Sequence, residues 1–333
     1  MSRKTTARSQ DRVVRLIRAN PDIYLGTHLR PDGDALGTLL GLSLALESEG
    51  RRVARLCADP VPENYRFLPG AGAVSAVPPP WNASLGIVVD CDGASRLGRL
   101  EPAFAALPHV IDIDHHATDH SFGQERLLDA TAAATAEIVY DLLRAMNVHL
   151  DADIATCLYT AVLTDSGRFG HGNTTARSLR TAAEFVAAGA DPHQISRSIY
   201  EEQSVEAAHL LGRALSRLSQ DIDSQVVSSL LTRRDFQQTG ASANDTEGII
   251  DHLRAIGGPR VALLFVEAED GAVRVSLRSD GTVDVSDIAL GFGGGGHAMA
   301  SGYTAQGAAE RIRRDLLAAV RKALAKASPA HGA

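Results

Sequence analysis

Residues 27–37 read THLRPDGDALG and place His28, Asp32 and Asp34 within seven positions, between a short apolar run and a leucine-rich one. Aspartate favours the first turn of a helix and Pro-Asp-Gly is ordinary turn chemistry, so a helix cap is one use for these carboxylates. A second use is ligation, because imidazole and carboxylate together form a hard to borderline donor set for a divalent cation. The same residue types recur along the chain: Asp90 ends LGIVVD, Asp114, His115 and His116 end HVIDIDHH, and Asp165 follows TAVLT.

If these side chains converge, they cannot do so as bare anions. Crowded carboxylates raise one another's pKa and are tenable only when cations neutralise them. Asp32, Asp34, Asp90 and Asp165 balance two divalent ions in formal charge, and His28, His115 and His116 complete a shell without thiolate. Such a shell suits Mn²⁺ or Mg²⁺ better than a structural zinc. Two ions about 3.5–4 Å apart can activate a water and stabilise both ends of an in-line attack on phosphorus, so the pattern points to a phosphoesterase.

The elements around these residues give them a common address. Strand-like runs DIYLGT (22–27), RVARLCA (52–58), LGIVVD (85–90) and HVIDID (109–114) alternate with helical patterns, the first being DALGTLLGLSLALESEG with its closing Gly50. This is βαβ grammar and predicts a parallel sheet. Ligands of open parallel sheets gather outside the carboxyl ends of the strands, where Asp32 and Asp34, Asp90, and the Asp114 cluster all fall. Asp165 joins them if the helix in DADIATCLYTAVLTDSGRF ends nearby. TAEIVYDLLRAMN places Ile138, Val139, Leu142, Leu143 and Met146 on one helical face, and NTTARSLRTAAEFVAAGADP reads as a further helix stopped by Gly189 and Pro192.

Beyond it the composition turns more polar. The expected layout is a catalytic domain over 1–192, a helical linker over 193–220 and a smaller α+β substrate-binding domain over 221–333. The last opens with strand-like QVVSSLL, then a helical GIIDHLRAI, strands VALLFVE and VRVSLR, and a helix lined by Ile312, Leu316, Leu317, Val320 and Leu324. In VRVSLRS, Val273, Val275 and Leu277 alternate with Arg274, Ser276 and Arg278. Gly293–Gly296 let the backbone approach a ligand and expose N–H groups to an anion, with His297 expected at the start of a short helix. The final residues, ASPAHGA, read as a loose tail.

Composition narrows the functional classes. At 333 residues, with 44% hydrophobic and 22% charged, the chain is long enough for about two globular domains. A net charge of -7 argues against gripping long nucleic acid, which takes basic stripes, but a short anion needs only a few local cations. Cys57, Cys91 and Cys157 are far apart and odd in number, so neither a disulfide framework nor a cysteine zinc site is expected, and a reducing cytoplasm fits. MSRKTTARSQ lacks the apolar core of a signal peptide, and the longest apolar stretch, around LLGLSLAL, is too short to span a bilayer. His109, His120, His149, His193, His209 and His252 have no acidic cluster at ligand spacing; His171, near Arg168 in GRFGHGNTT, is placed where it could line the cleft.

HLRPDGDALG, VVDCD, IDHHATD and TAVLTDSGRF, in that order, resemble the motifs of the DHH phosphoesterase superfamily, and GFGGGGHAMASG resembles the glycine-rich signature of its DHH-associated C-terminal domain. The likeness covers nearly the whole chain and is greatest to the nanoRNase/pAp-phosphatase branch. It implies an α/β fold: a parallel-sheet domain with helices on both faces, followed by the smaller domain. It also implies one metal on His28, Asp32 and Asp90, a second on Asp34, Asp90, His115 and Asp165, with Asp90 shared; His116 beside the metals, touching the scissile phosphate or helping the leaving oxygen; and Asp114 orienting the imidazoles. Arg278, Gly294, Gly295, Gly296 and His297 would bind substrate, Arg278 as a bidentate phosphate clamp.

The implied activity is two-Mn²⁺ (or Mg²⁺) hydrolysis of very short RNA such as pGpG or pApA to nucleoside 5′-monophosphates, with pAp 3′-phosphatase activity from the same site. A homodimer without membrane attachment is implied as well. Cyclic dinucleotides such as c-di-AMP are the alternative substrates. A non-catalytic nucleotide sensor would require a broken ligand set, and none of these ligands is missing. A pyrophosphatase would need a clustered Arg-Lys-Lys segment that the C-terminal region lacks. A RecJ-like exonuclease is disfavoured by chain length and by an aromatic content of only 5%, too low for an extended stacking platform.

Overall fold

A computed structural model describes residues 3–116, 122–201, 204–268 and 271–327, with side chains from residue 9 onward. The proposed tail beyond Ala327, and His120, lie outside them. The described chain forms two compact units that divide between residues 202 and 203.

The first unit runs α1 (Arg3–Ala19), β1 (Asp22–Gly26), α2 (Gly33–Ser48), β2 (Arg52–Leu56), β3 (Leu85–Val89), α3 (Glu101–Ala105), β4 (His109–Asp114), β5 (Glu125–Leu128), α4 (Thr135–Met146), α5 (Ala152–Asp165), α6 (Ala176–Ala187) and α7 (Pro192–Tyr200). The strands form one parallel sheet in the order β2-β1-β3-β4-β5. Alternating residues feed its two faces. Ile23, Leu25, Ile87, Val89, Ile111 and Ile113 pack under the long helices, while Tyr24, Val88 and Val110 meet Leu97, Leu100 and Phe104 on the other side. Both faces are covered, as a parallel sheet requires. Sequence periodicity missed α1 and β5: the former is mostly polar and the latter only four residues long.

The order reverses between β1 and β3, which puts a crevice outside their carboxyl ends. Register decides what stands there. His28 and Asp90 each lie two residues past the paired Gly26 and Val88. Asp114 lies one past Ile113, the partner of Val89, and the Asp90 amide donates to the Ile113 carbonyl at 3.0 Å.

Helices α2 and α5 bring in the remaining acids. α2 is buried almost all round, from Gly33 to Leu46 with only Leu44 less covered, as expected of a helix that is apolar on every side. It packs antiparallel to α5 along Gly33, Gly37 and Gly41. A Cβ at these positions would stand 2.8 Å from Thr164 Cβ, 2.9 Å from Ala161 Cβ and 2.8 Å from Leu158 Cδ2, respectively. The glycines therefore let the backbones approach, and Gly33 against Thr164 sets the start of α2 beside Asp165. Gly37→Leu should overpack this contact by about 1–3 kcal/mol, lowering the thermal midpoint by several degrees and reducing turnover per folded molecule. An unchanged melting scan with full activity would refute the close-approach account.

The second unit comprises α8 (Val205–Ser216), β6 (Ser219–Asp221), β7 (Val226–Leu231), α9 (Arg233–Thr239), α10 (Ile249–Arg254), β8 (Val261–Glu267), β9 (Ala272–Ser279), α11 (Val285–Leu290), β10 (Gly295–His297), β11 (Ala300–Gln306) and α12 (Ala309–Lys326). Its sheet, ordered β10-β11-β9-β8-β7-β6, is antiparallel except for β7 with β8. Val273, Val275 and Leu277 join the core under α11 and α12, whereas Val227, Ala262 and Leu264 face α8 and α10. The segment 193–220, expected as a helical linker, is divided: α7 packs with the first unit, α8 and β6 with the second.

One expectation is corrected. His297 does not start a helix; it ends β10, which pairs with β11 in a tight hairpin. A Cβ on Gly296 would come within 2.7 Å of Ser301 Cα, and one on Gly294 would crowd Tyr303. The glycine run is thus consumed in part by strand pairing, a requirement that composition alone does not distinguish from anion binding.

Candidate active site

At the crevice beyond β1, β3 and β4 the predicted acids and imidazoles of the first unit meet. His28 Nε2 is 3.6 Å from Asp90 Oδ2 and 3.9 Å from Asp32 Oδ1. His115 Nε2 is 3.7 Å from Asp34 Oδ2, 3.6 Å from Asp90 Oδ1 and 3.4 Å from Asp165 Oδ2. Ligand atoms of His28, Asp32 and Asp90 cluster as one group and those of Asp34, His115 and Asp165 as another. The two Asp90 oxygens face the two groups separately.

Local backbone aims these groups. Asp90 sits at φ +53°, a left-handed conformation that aspartate tolerates better than most residues. Asp32 is also the N-cap of α2: its Oδ1 accepts from the Ala35 amide at 3.0 Å and is the same oxygen that lies 3.9 Å from His28 Nε2, while the side chain remains 60% exposed. Asp34 is fully buried in the first turn of α2. It accepts from the Thr38 hydroxyl at 2.9 Å and from the Thr135 amide at 2.7 Å. Ala134, the N-cap of α4, has no side chain to cap with, and Asp34 supplies that carboxylate from across the fold, where a helix N-terminus favours negative charge.

Each imidazole is oriented through its other nitrogen. His28 Nδ1 lies 2.7 Å from the Leu29 carbonyl and His115 Nδ1 3.2 Å from that of Ala132, which presents Nε2 of both rings to the carboxylates. Asp114 Oδ1 accepts from His116 Nδ1 at 2.6 Å and from the amides of His115 and His116 at 2.7 and 3.1 Å.

Charge balance tests whether cations fit. Burial drives Asp34 well above the usual carboxylate range, with Asp90 and Asp165 adding repulsion. Burial likewise pushes Asp165 up to about 7, against the pull of His115 and with added repulsion from Asp90 and Asp32. Asp90 is buried too, but the nearby imidazoles of His28, His116 and His115 overcome that penalty and hold it low. His116 rises to about 9: burial opposes its charge, and the Asp114 hydrogen bond and Asp90 outweigh it. Buried carboxylates lacking enough cationic partners, with nitrogen donors interleaved, are what divalent ions would neutralise.

Several residues were missed by sequence reasoning. Thr135 donates its hydroxyl to Asp90 Oδ1 at 3.0 Å, and Asn173 Nδ2 donates to the carbonyls of Ala133 and Asp165 at 3.1 Å each. Neither has a local signature, since Thr135 reaches an aspartate 45 positions away. Arg168 stacks over Tyr200 at 4.4 Å, and His171 packs on Gly167.

In the second unit Arg278 projects from β9, with Nε 3.2 Å from Asp251 Oδ1 and one terminal nitrogen 3.2 Å from the Leu277 carbonyl. It is 26% exposed, so it is a half-buried, paired guanidinium. Gly294 precedes β10 while Gly295, Gly296 and His297 form it. Among the described residues, no helix is long and apolar enough to cross a membrane.

Comparison with known proteins agrees with this layout. Residues 22–162 match the DHH family N-terminal domain and residues 223–326 the DHHA1 domain. The chain is 35% identical over 310 residues to the bifunctional oligoribonuclease and PAP phosphatase NrnA of Thermus thermophilus, covering 92% of this chain and 91% of that protein. It is 28% identical to the protein of the same name from Bacillus subtilis, over 91% of this chain and 96% of that one. The crystal structure of an exopolyphosphatase-related protein from Bacteroides fragilis shares the fold, with a TM-score of 0.89 at 24% identity, covering 96% of this chain and 98% of the other.

Proposed function

Because the chain belongs to the DHH family of phosphoesterases, with a DHHA1 domain following the DHH domain, we propose that it hydrolyses very short RNA, such as pApA or pGpG, to nucleoside 5′-monophosphates and removes the 3′-phosphate of pAp. The observation that carries this reading is the pair of neighbouring donor groups at the end of the parallel sheet, His28, Asp32 and Asp90 beside Asp34, His115 and Asp165, with one Asp90 oxygen 3.6 Å from His28 Nε2 and the other 3.6 Å from His115 Nε2. His28, Asp32 and Asp90 would hold one Mn²⁺, and Asp34, Asp90, His115 and Asp165 a second, with Mg²⁺ as a substitute. Bound there, the ions would supply an activated water and neutralise charge at the phosphate.

The two proposed reactions break the same bond. In pApA and in pAp alike the bond cleaved is between phosphorus and the 3′-oxygen of an AMP unit, while an oxygen from water joins phosphorus. One proton donor can then serve both. His116 fits that role, since Asp114 holds its Nδ1 at 2.6 Å and so orients an imidazole that can carry a proton to the leaving 3′-oxygen. Arg278 and the segment Gly294–His297 are assigned to binding the nucleotide's phosphate. The buried free thiols of Cys57, Cys91 and Cys157 suit the cytoplasm, the compartment we assign to it.

The test is a substrate panel with Mn²⁺: pApA, pAp, c-di-AMP and a 24-mer RNA. pApA and pAp should yield AMP, chelator should stop both and added Mn²⁺ restore them. The 24-mer should be at least about tenfold slower, because an acidic chain has few cations with which to hold a long strand. Equal rates on the 24-mer, faster cleavage of c-di-AMP than of pApA, or full turnover in chelator would each overturn the assignment.

A further inference from the structure

The segment entering α4, residues 132–136, carries no charge and no candidate ligand, yet it contacts the site repeatedly. The Ala132 carbonyl meets His115 Nδ1 at 3.2 Å, the Thr135 and Ala136 amides donate to Asp34 at 2.7 and 3.4 Å, and Asn173 ties the Ala133 carbonyl to that of Asp165 at 3.1 Å each. At its centre the Thr135 hydroxyl donates to Asp90 Oδ1 at 3.0 Å. We propose that Thr135 is a positioning residue for the metal centre: its hydroxyl fixes the plane of the Asp90 carboxylate, so that each oxygen serves a different ligand group.

The geometry explains why a lock is needed. Oδ1 of Asp90 lies 3.6 Å from both His115 Nε2 and His116 Nδ1, while Oδ2 lies 3.6 Å from His28 Nε2. A carboxylate torsion is intrinsically broad and two-fold, so the side chain alone does not hold this orientation. Thr135 is fully buried, so solvent cannot readily replace its hydroxyl, and a hydrogen bond to a charged acceptor in such surroundings is among the stronger ones. The backbone contacts of 132–136 hold the hydroxyl in place in turn.

Three variants separate positioning from packing. Thr135→Val keeps the volume and loses the hydroxyl, Thr135→Ser keeps the hydroxyl and loses the methyl, and Thr135→Ala loses both. Calorimetric titration of metal-stripped protein with Mn²⁺ should show Val and Ala variants about 10–100-fold weaker than wild type, the usual effect of removing a group that orients a metal ligand, with the Ser variant close to wild type. Affinity that follows volume instead, with Val near wild type and Ser as weak as Ala, overturns the proposal, as does unchanged affinity in all three. Should the Val variant fail to fold, Ser against Ala still decides. The inference rests on the cluster being a metal centre, and Asp90→Asn tells the two failures apart. If that variant binds Mn²⁺ like wild type, the metal-centre reading itself fails; if it loses Mn²⁺ while the hydroxyl-deletion variants do not, only the role of Thr135 does.

Discussion

Asp90→Asn should reduce kcat on pApA by about three orders of magnitude or more, a loss of about 4 kcal/mol in transition-state stabilisation. Asp90 is the residue whose two oxygens face both ligand groups, 3.6 Å from His28 and from His115, so losing its charge weakens both at once. Asparagine is the informative replacement. Position 90 has φ +53°, and Asn tolerates that conformation as well as Asp does, whereas Ala would add backbone strain. The Thr135 hydroxyl would keep an oxygen acceptor at Oδ1. Turnover at saturating Mn²⁺, together with the number of ions bound, is the measurement. A variant within about tenfold of wild type that still binds two ions would contradict a shared ligand.

His116→Ala should lower kcat on pApA by about 10²–10³-fold, within the range for loss of a general acid, while leaving Mn²⁺ affinity nearly intact. Its ring is paired to Asp114 at 2.6 Å, and Nδ1 stands 3.6 Å from Asp90, beside the ligand groups. A proton donor matters in proportion to how poor the leaving group is. The 3′-oxygen of a nucleotide leaves badly without a proton, whereas p-nitrophenolate leaves unaided. The variant should therefore retain much more of its activity on the p-nitrophenyl ester of a nucleoside 5′-monophosphate than on pApA. Equal losses on both substrates would assign His116 to binding the phosphate and not to protonating the leaving oxygen.

The contrast between Asp165 and Thr135 shows how much of this site was readable along the chain. Asp165 has the residue type of a ligand and ends a helix with a clear apolar period, so it could be grouped with the acids at the strand ends before its position was known. Thr135 has an ordinary type at an ordinary helix start, and its role depends on a partner that the fold delivers. His297 shows the reverse error. Glycine before histidine reads equally as an anion loop or as a close-packed hairpin, and only the presence of β11 beside it favours the hairpin.

Residue type and the period of apolar positions were sufficient, by themselves, to determine the parallel sheet and to place Asp32, Asp34, Asp90, Asp114, His115 and His116 at the carboxyl ends of its strands. These are local quantities: periodicity follows from backbone geometry, and ligand preference from the atoms of each side chain. Tertiary structure alone decided that Asp90 divides its oxygens between two groups, that Asp34 caps α4 while facing His115, and that glycines on α2 admit α5 closely enough to bring Asp165 in. Each depends on register, on an interhelical approach, or on a hydrogen bond between residues far apart in the chain. Distances of a few ångströms between such residues are set by the packing of the whole domain and leave no mark on the sequence near either partner.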